Sequence, residues 1–262
     1  MVKDLKIFLW ILKLGAIVNL YFFLETLIPP LAFADANVLI PAQILFTVSA
    51  FRCLFPVRYT NNIVFHKSPI SSIFLTRLLA TFSEVALIYQ IAYLLRLLNQ
   101  NHVQWVDLLS WLMVVQVLFS QCLVWGAIIT GRLMLYFYEE IGWFIIYSIN
   151  TIVSVYLFIT IDNFVGRELL IQLNLLFGVL YLPWQLIHLR SLLLDANKES
   201  RNLGLQVGIN WSTLIRGLDQ SIHIKNKTTQ FKAWGGLVGI SWMTAYWASV
   251  IPVWVYLILR EI

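Results

Sequence analysis

Residues 103–130 read VQWVDLLSWLMVVQVLFSQCLVWGAIIT, and Asp107 is the one formally charged side chain in the run. A surface helix of a soluble protein carries an apolar stripe and an opposite polar face. Here apolar residues go all the way round. At about 1.5 Å per residue the run also exceeds a hydrocarbon core about 30 Å thick. It reads as a membrane-spanning helix. Working outward, comparable runs fall at 7–28, 36–55, 69–98, 133–161, 168–194 and 235–259. The expected fold is therefore all-α: one transmembrane domain over residues 1–262, a bundle of about seven spans with an amphipathic helix in a cytoplasmic loop.

Composition supports this class. The chain is 60% hydrophobic and 12% charged, whereas a soluble domain averages about 45–50% and about 25%. The net charge of +5 lies mostly in connections, where it sets topology and meets anionic lipid headgroups rather than nucleic acid. Cys53 and Cys122 sit in or beside apolar runs and read as small buried residues, not a disulfide framework.

Prolines punctuate the spans. Pro29-Pro30 closes the first, and Pro69 is expected to open the third, where a missing N–H is harmless. Pro41, Pro183 and Pro252 fall inside spans, where each frees a carbonyl that a neighbouring helix or water must satisfy. The second span is the weakest: Asp35, Asn37, Pro41 and Gln43 crowd its start and leave a re-entrant segment open. Ala32-Phe33-Ala34 resembles a signal cleavage site, but the preceding run is too long and holds Lys13 and Glu25.

Orientation follows from basic residues. With the N-terminus and the 2–3, 4–5 and 6–7 connections on one side, that side holds 13 Lys and Arg, Arg52 and Arg58 among them, against 3 opposite. The positive-inside rule then puts the N-terminus in the cytoplasm and the C-terminus outside.

Ionisable groups within lipid are expensive and normally face protein or water. On the third span Arg77, Thr81 and Glu84 share a face at i, i+4, i+7. Arg77 and Glu84 stand two turns apart, too far for a tight pair in a straight helix, so they are expected to bracket a common partner. If Arg77 pairs with Glu84, Glu84→Gln should rescue Arg77→Ala; if Glu140 is its partner instead, the rescue moves to Glu140→Gln. The fifth span carries Tyr136, Glu140, Trp143, Tyr147, Asn150 and Ser154 along one stripe, with Glu139 about 100° away. The sixth carries Asn174, Gly178, Tyr181, Gln185 and His188. The expectation is a polar cavity between these three spans, with Arg77, Thr81, Glu84, Tyr136, Glu140, Asn150, Tyr181, Gln185 and His188 in its lining. The bland alternative is interhelical hydrogen bonding, worth about 0.6 kcal/mol per contact on average.

The one long connection, 195–233, keeps helical apolar spacing at Val207, Trp211, Leu214, Leu218 and Ile222, with Lys225, Lys227 and Lys232 following. This is the amphipathic helix, with Trp211 and the three lysines placed at the membrane surface.

No metal-ligand cluster, nucleophile elbow or phosphate-cradling loop is present in the sequence, and no cofactor is implied. Three functions stay open. One is binding or transport of a small amphipathic or anionic molecule, with Arg77 holding its acidic group. Another is intramembrane catalysis on a lipid or isoprenoid, with Glu140 or His188 as acid or base. The third is a non-catalytic assembly subunit.

Overall fold

The computed structural model describes residues 3–160, 168–203 and 210–262. The protein is all-α, and among the described residues seven helices are long and apolar enough to cross a membrane. These are α1 (Lys3–Glu25), α2 (Ala36–Leu54), α3 (Ile73–Leu98), α4 (Gln104–Thr130), α5 (Leu133–Thr160), α6 (Glu168–Leu203) and a last span of two pieces. Before that span comes α7 (Trp211–His223). The last span comprises α8 (Gly236–Met243), a π-helical turn at Thr244–Ala248, and α9 (Val250–Glu261).

Helix starts follow local capping chemistry. Asp35 accepts a hydrogen bond from the Asn37 N–H at 2.8 Å and opens α2 as a full helix rather than a re-entrant turn. Pro69 does not open α3. The Ser72 hydroxyl oxygen accepts from the Leu75 N–H at 3.1 Å, so the helix begins at Ile73 and Pro69 stays in the connection. A side-chain acceptor satisfies an orphan N–H that a proline merely lacks. At the other end, α6 runs on to Leu203, well past the expected limit at 194. α7 starts at Trp211; Val207, Gly204 and Gly208 lie outside the described residues.

The chain divides into two compact units, one of residues 1–87 with 219–260, the other of 88–218. α3 thus contributes its first part to one unit and its last part to the other.

In the first unit α1 lies antiparallel to α2. Phe22 meets Phe46 at 5.4 Å, and Gln43 donates to the Thr26 hydroxyl at 3.1 Å. α1 runs parallel to the last span, with Phe22 stacked on Tyr256 at 4.2 Å. Gly15 allows this approach, since a Cβ there would stand 2.3 Å from that of Ala248. The last span breaks at Ser249, with φ −142° and ψ −82°. Pro252 sits in the first turn of α9, where its missing N–H does least harm. Asn19 of α1 donates to the Trp247 carbonyl at 2.9 Å, the service expected of a neighbouring helix beside a proline.

Composition and span-scale hydropathy give no hint of the small sheet in this unit. Strands β1 (Val57–Arg58), β2 (Ile63–Val64) and β3 (Asn226–Lys227) pair in that order, β2 with β3 in parallel. Arg58 donates to the Ala233 carbonyl, and Trp234 stacks on Phe65 at 4.0 Å. Phe65 also faces Phe8 at 6.2 Å. The start of α1, the 2–3 connection and the end of the 6–7 connection therefore share one end of this unit.

In the second unit α4, α5 and α6 pack as antiparallel neighbours through small residues. A Cβ on Gly142 would fall 2.1 Å from the Ser120 hydroxyl, and one on Gly178 would fall 2.1 Å from that of Thr151. Close backbone approach through small residues is how helices associate when lipid supplies no hydrophobic drive. The Leu133 N–H donates to Glu199 at 2.8 Å, which joins the 4–5 turn to the end of α6.

Candidate functional site

The residues of the expected cavity fall in different units: Arg77, Thr81 and Glu84 in the first, the remaining six in the second. Each group has its own partners inside its unit.

Arg77 and Glu84 are buried, 1% and 6% exposed, and they pair directly. Arg77 donates to Glu84 through both terminal nitrogens, at 2.6 and 3.3 Å. This corrects the expectation that two turns is too far. The rise between them is about 10 Å, and a long guanidinium side chain lying along the helix meets the carboxylate as a two-pronged fork. Thr81, half-buried between them, turns its hydroxyl to the Arg77 carbonyl at 3.0 Å.

The third member is Arg52, which the basic-residue count had treated as a loop charge. It occupies the last turn of α2, 6% exposed, with Nη1 3.6 Å from Glu84 Oε1. The expected span 36–55 already enclosed it, and that was the signal available in the sequence. Trp247 and Tyr246 of the π-helical turn cover its guanidinium, at 4.4 and 5.5 Å from their ring centres. Tyr59 lies 5.6 Å from the Arg77 guanidinium. No sequence periodicity links the 2–3 connection, α2 and the last span, so this aromatic frame was invisible beforehand.

Arg52, Arg77 and Glu84 are the buried ionisable charges among the described residues of this unit, two cations against one carboxylate. Arg52 Nε and Nη1, the Tyr59 hydroxyl and Trp247 Nε1 are buried without a hydrogen-bond partner. Buried donors of this kind are left for an acceptor to complete.

In the second unit Gln185, fully buried, donates to the Glu140 carboxylate at 2.7 Å and to its backbone carbonyl at 2.9 Å. His188 lies 3.6 Å from the same carboxylate and stacks on Trp184 at 5.1 Å. A carboxylate beside an imidazole is a pair able to hold or pass a proton. Asn174 bridges Asn150 and Ser154 at 3.4 Å each. Tyr181 packs against Tyr147 at 4.6 Å, and Tyr136 is half-buried near the start of α5. Sequence reasoning passed over Glu139, which is buried and accepts from Trp143 Nε1 at 2.9 Å. Trp143 thus bonds Glu139 while its ring stacks on Tyr147 of the stripe at 6.1 Å.

Four residues were expected at the membrane surface: Trp211, Lys225, Lys227 and Lys232. Trp211 is exposed at the start of α7, Lys227 lies on exposed β3, and Lys232 is exposed just before Trp234. Lys225 donates to the Ile222 carbonyl at 3.2 Å and so closes α7.

No protein-family model, curated protein or solved structure matches this chain.

Proposed function

We propose that this multi-pass membrane protein binds or transports a small amphipathic molecule, and that the Arg52–Glu84–Arg77 cluster receives its anionic group. The observation that carries the proposal is Arg52: a buried guanidinium whose Nε and Nη1 lack hydrogen-bond partners, 3.6 Å from a carboxylate that Arg77 also engages. A charged residue inside a span costs about 2.5–3.5 kcal/mol on insertion scales. Gluing helices together does not require a second cation on a carboxylate that Arg77 already engages. A carboxylate or phosphate monoester would accept from the open N–H positions of Arg52.

The proposed orientation has the N-terminus cytoplasmic and the C-terminus outside, supported by the basic bias of the connections. Arg52 no longer counts as a loop charge, but 12 basic residues against 3 leave the sign unchanged.

The test is thermal unfolding in a neutral detergent with dodecanoate, dodecyl phosphate or dodecanol added. The two anions should raise the midpoint, approaching about 2.7 kcal/mol of stabilisation at a hundredfold excess over Kd. The alcohol should not. In Arg52→Gln the response to anions should vanish while the protein stays folded. Equal stabilisation by the alcohol, or a full response in Arg52→Gln, defeats the proposal.

A further inference from the structure

The helix α7 is amphipathic in an inverted sense. Its inward face is made of small residues: Gly217 and Ser221 are buried. A Cβ on Gly217 would fall 1.7 Å from the Ile129 carbonyl oxygen, so the backbones of α7 and α4 touch. The bulky apolar residues point away. Trp211, Ile215 and Leu218 are 75%, 53% and 38% exposed, at spacing i, i+4, i+7. A helix covering a soluble protein would bury these and expose the small ones.

Its level is fixed as well. Ile129 is the penultimate residue of α4, so Gly217 holds α7 where that span ends. That is the depth of the headgroup boundary, where amphipathic helices and tryptophan settle. Charge identifies the lipid. Arg216 is exposed on α7, and Lys225, Lys227 and Lys232 follow it in the chain. The one carboxylate nearby in sequence, Asp219, is engaged by His223 at 2.9 Å.

From these observations we infer that α7 docks through Trp211, Ile215 and Leu218 into the bilayer leaflet at the end of α4, held there by anionic headgroups. The occupant of the apolar face is lipid, not a protein partner. Trp at the boundary and unbalanced basic charge match an anionic membrane surface. This inference is independent of the anion site at Arg52.

The experiment uses the full-length protein with Cys122→Ser and Ile215→Cys, carrying a fluorophore at position 215. Cys53 is buried and stays unlabelled. The protein is reconstituted into phosphatidylcholine bilayers, and into bilayers of equal parts phosphatidylcholine and phosphatidylglycerol. A nitroxide on the upper acyl chain of the lipid should quench the label, more strongly in the anionic bilayer, and aqueous iodide should not. Changing Arg216, Lys225, Lys227 and Lys232 to Gln should erase the anionic preference, by about fivefold per charge removed. The comparison of the two bilayers stands even if that variant fails to fold. Quenching by iodide alone would overturn the inference, as would shielding from both quenchers, the mark of a protein partner. Equal nitroxide quenching in the two bilayers would also overturn it.

Discussion

Glu84 accepts from Arg77 at 2.6 Å and stands 3.6 Å from Arg52, so the three side chains do not contribute symmetrically to stability. Breaking a buried pair by removing one partner costs about 3–5 kcal/mol, because the other charge is stranded. Glu84→Gln takes the shared carboxylate from both guanidinium groups and should be the most damaging single change here. Arg77→Ala leaves Arg52 beside Glu84, a balanced pair, and should cost less. Arg52→Gln removes the second cation and gives up mainly its stacking on Trp247, about 0.5–2 kcal/mol. The pairwise expectation from sequence, that Glu84→Gln rescues Arg77→Ala, is therefore reversed. The double variant should be less stable than Arg77→Ala alone, and adding Arg52→Gln should restore it. Thermal midpoints of these variants in one detergent decide the order. Rescue of Arg77→Ala by Glu84→Gln would show that Arg52 does not share the carboxylate.

The last span is interrupted by a π-helical turn and a break at Ser249, and α1 is shaped to receive it. Gly15 lets the backbone of α1 reach Ala248, and Asn19 answers the Trp247 carbonyl. A polar backbone group left unpaired at membrane depth costs about 1–3 kcal/mol or more. Cys53 Sγ, a weak donor, also reaches the Trp247 carbonyl at 3.5 Å, so Asn19→Ala should destabilise by about 1 kcal/mol, the low end of that range. Gly15→Val should do at least as much, since its Cβ would meet the backbone and Cβ of Ala248. Gly126→Ala is the contrast: its Cβ would meet only the flexible end of Leu135 at 3.2 Å, so the midpoint should barely move. A Gly15→Val protein as stable as Gly126→Ala would mean that α1 does not pack on the break. The glycines and Pro252 are plain in the sequence. Their pairing across the molecule is not, because hydropathy marks a span without saying which neighbour it meets.

At the scale of the whole chain, the β2–β3 ladder joins the 2–3 connection to the 6–7 connection, and the chain runs through α3, α4, α5 and α6 between them. Four crossings would return the chain to the side it left, the grouping of connections on which the basic bias is counted. Ile63 and Asn226 are register partners, so cysteines there should form a disulfide under mild oxidation in membranes, with Cys53 and Cys122 replaced. A reporter at the C-terminus should read as external. No cross-link together with an internal reporter would remove both the shared end and the orientation.

The sequence by itself determined that this is an all-α protein of seven long apolar helices, because hydropathy over some twenty residues is a local property and lipid leaves the backbone few alternatives. It also showed that Arg77 and Glu84 occupy one helix face, since 3.6-residue periodicity is local too. Only the tertiary structure decided that they pair with each other. It decided equally that Arg52 joins them, that Tyr246 and Trp247 cover it, and that Glu139 rather than Glu140 is the more buried carboxylate of α5. Those facts depend on which segments, far apart in the chain, are brought within a few ångströms. That choice is made by small residues and broken helices, where packing shape and unsatisfied carbonyls outweigh the hydropathy that all the spans share.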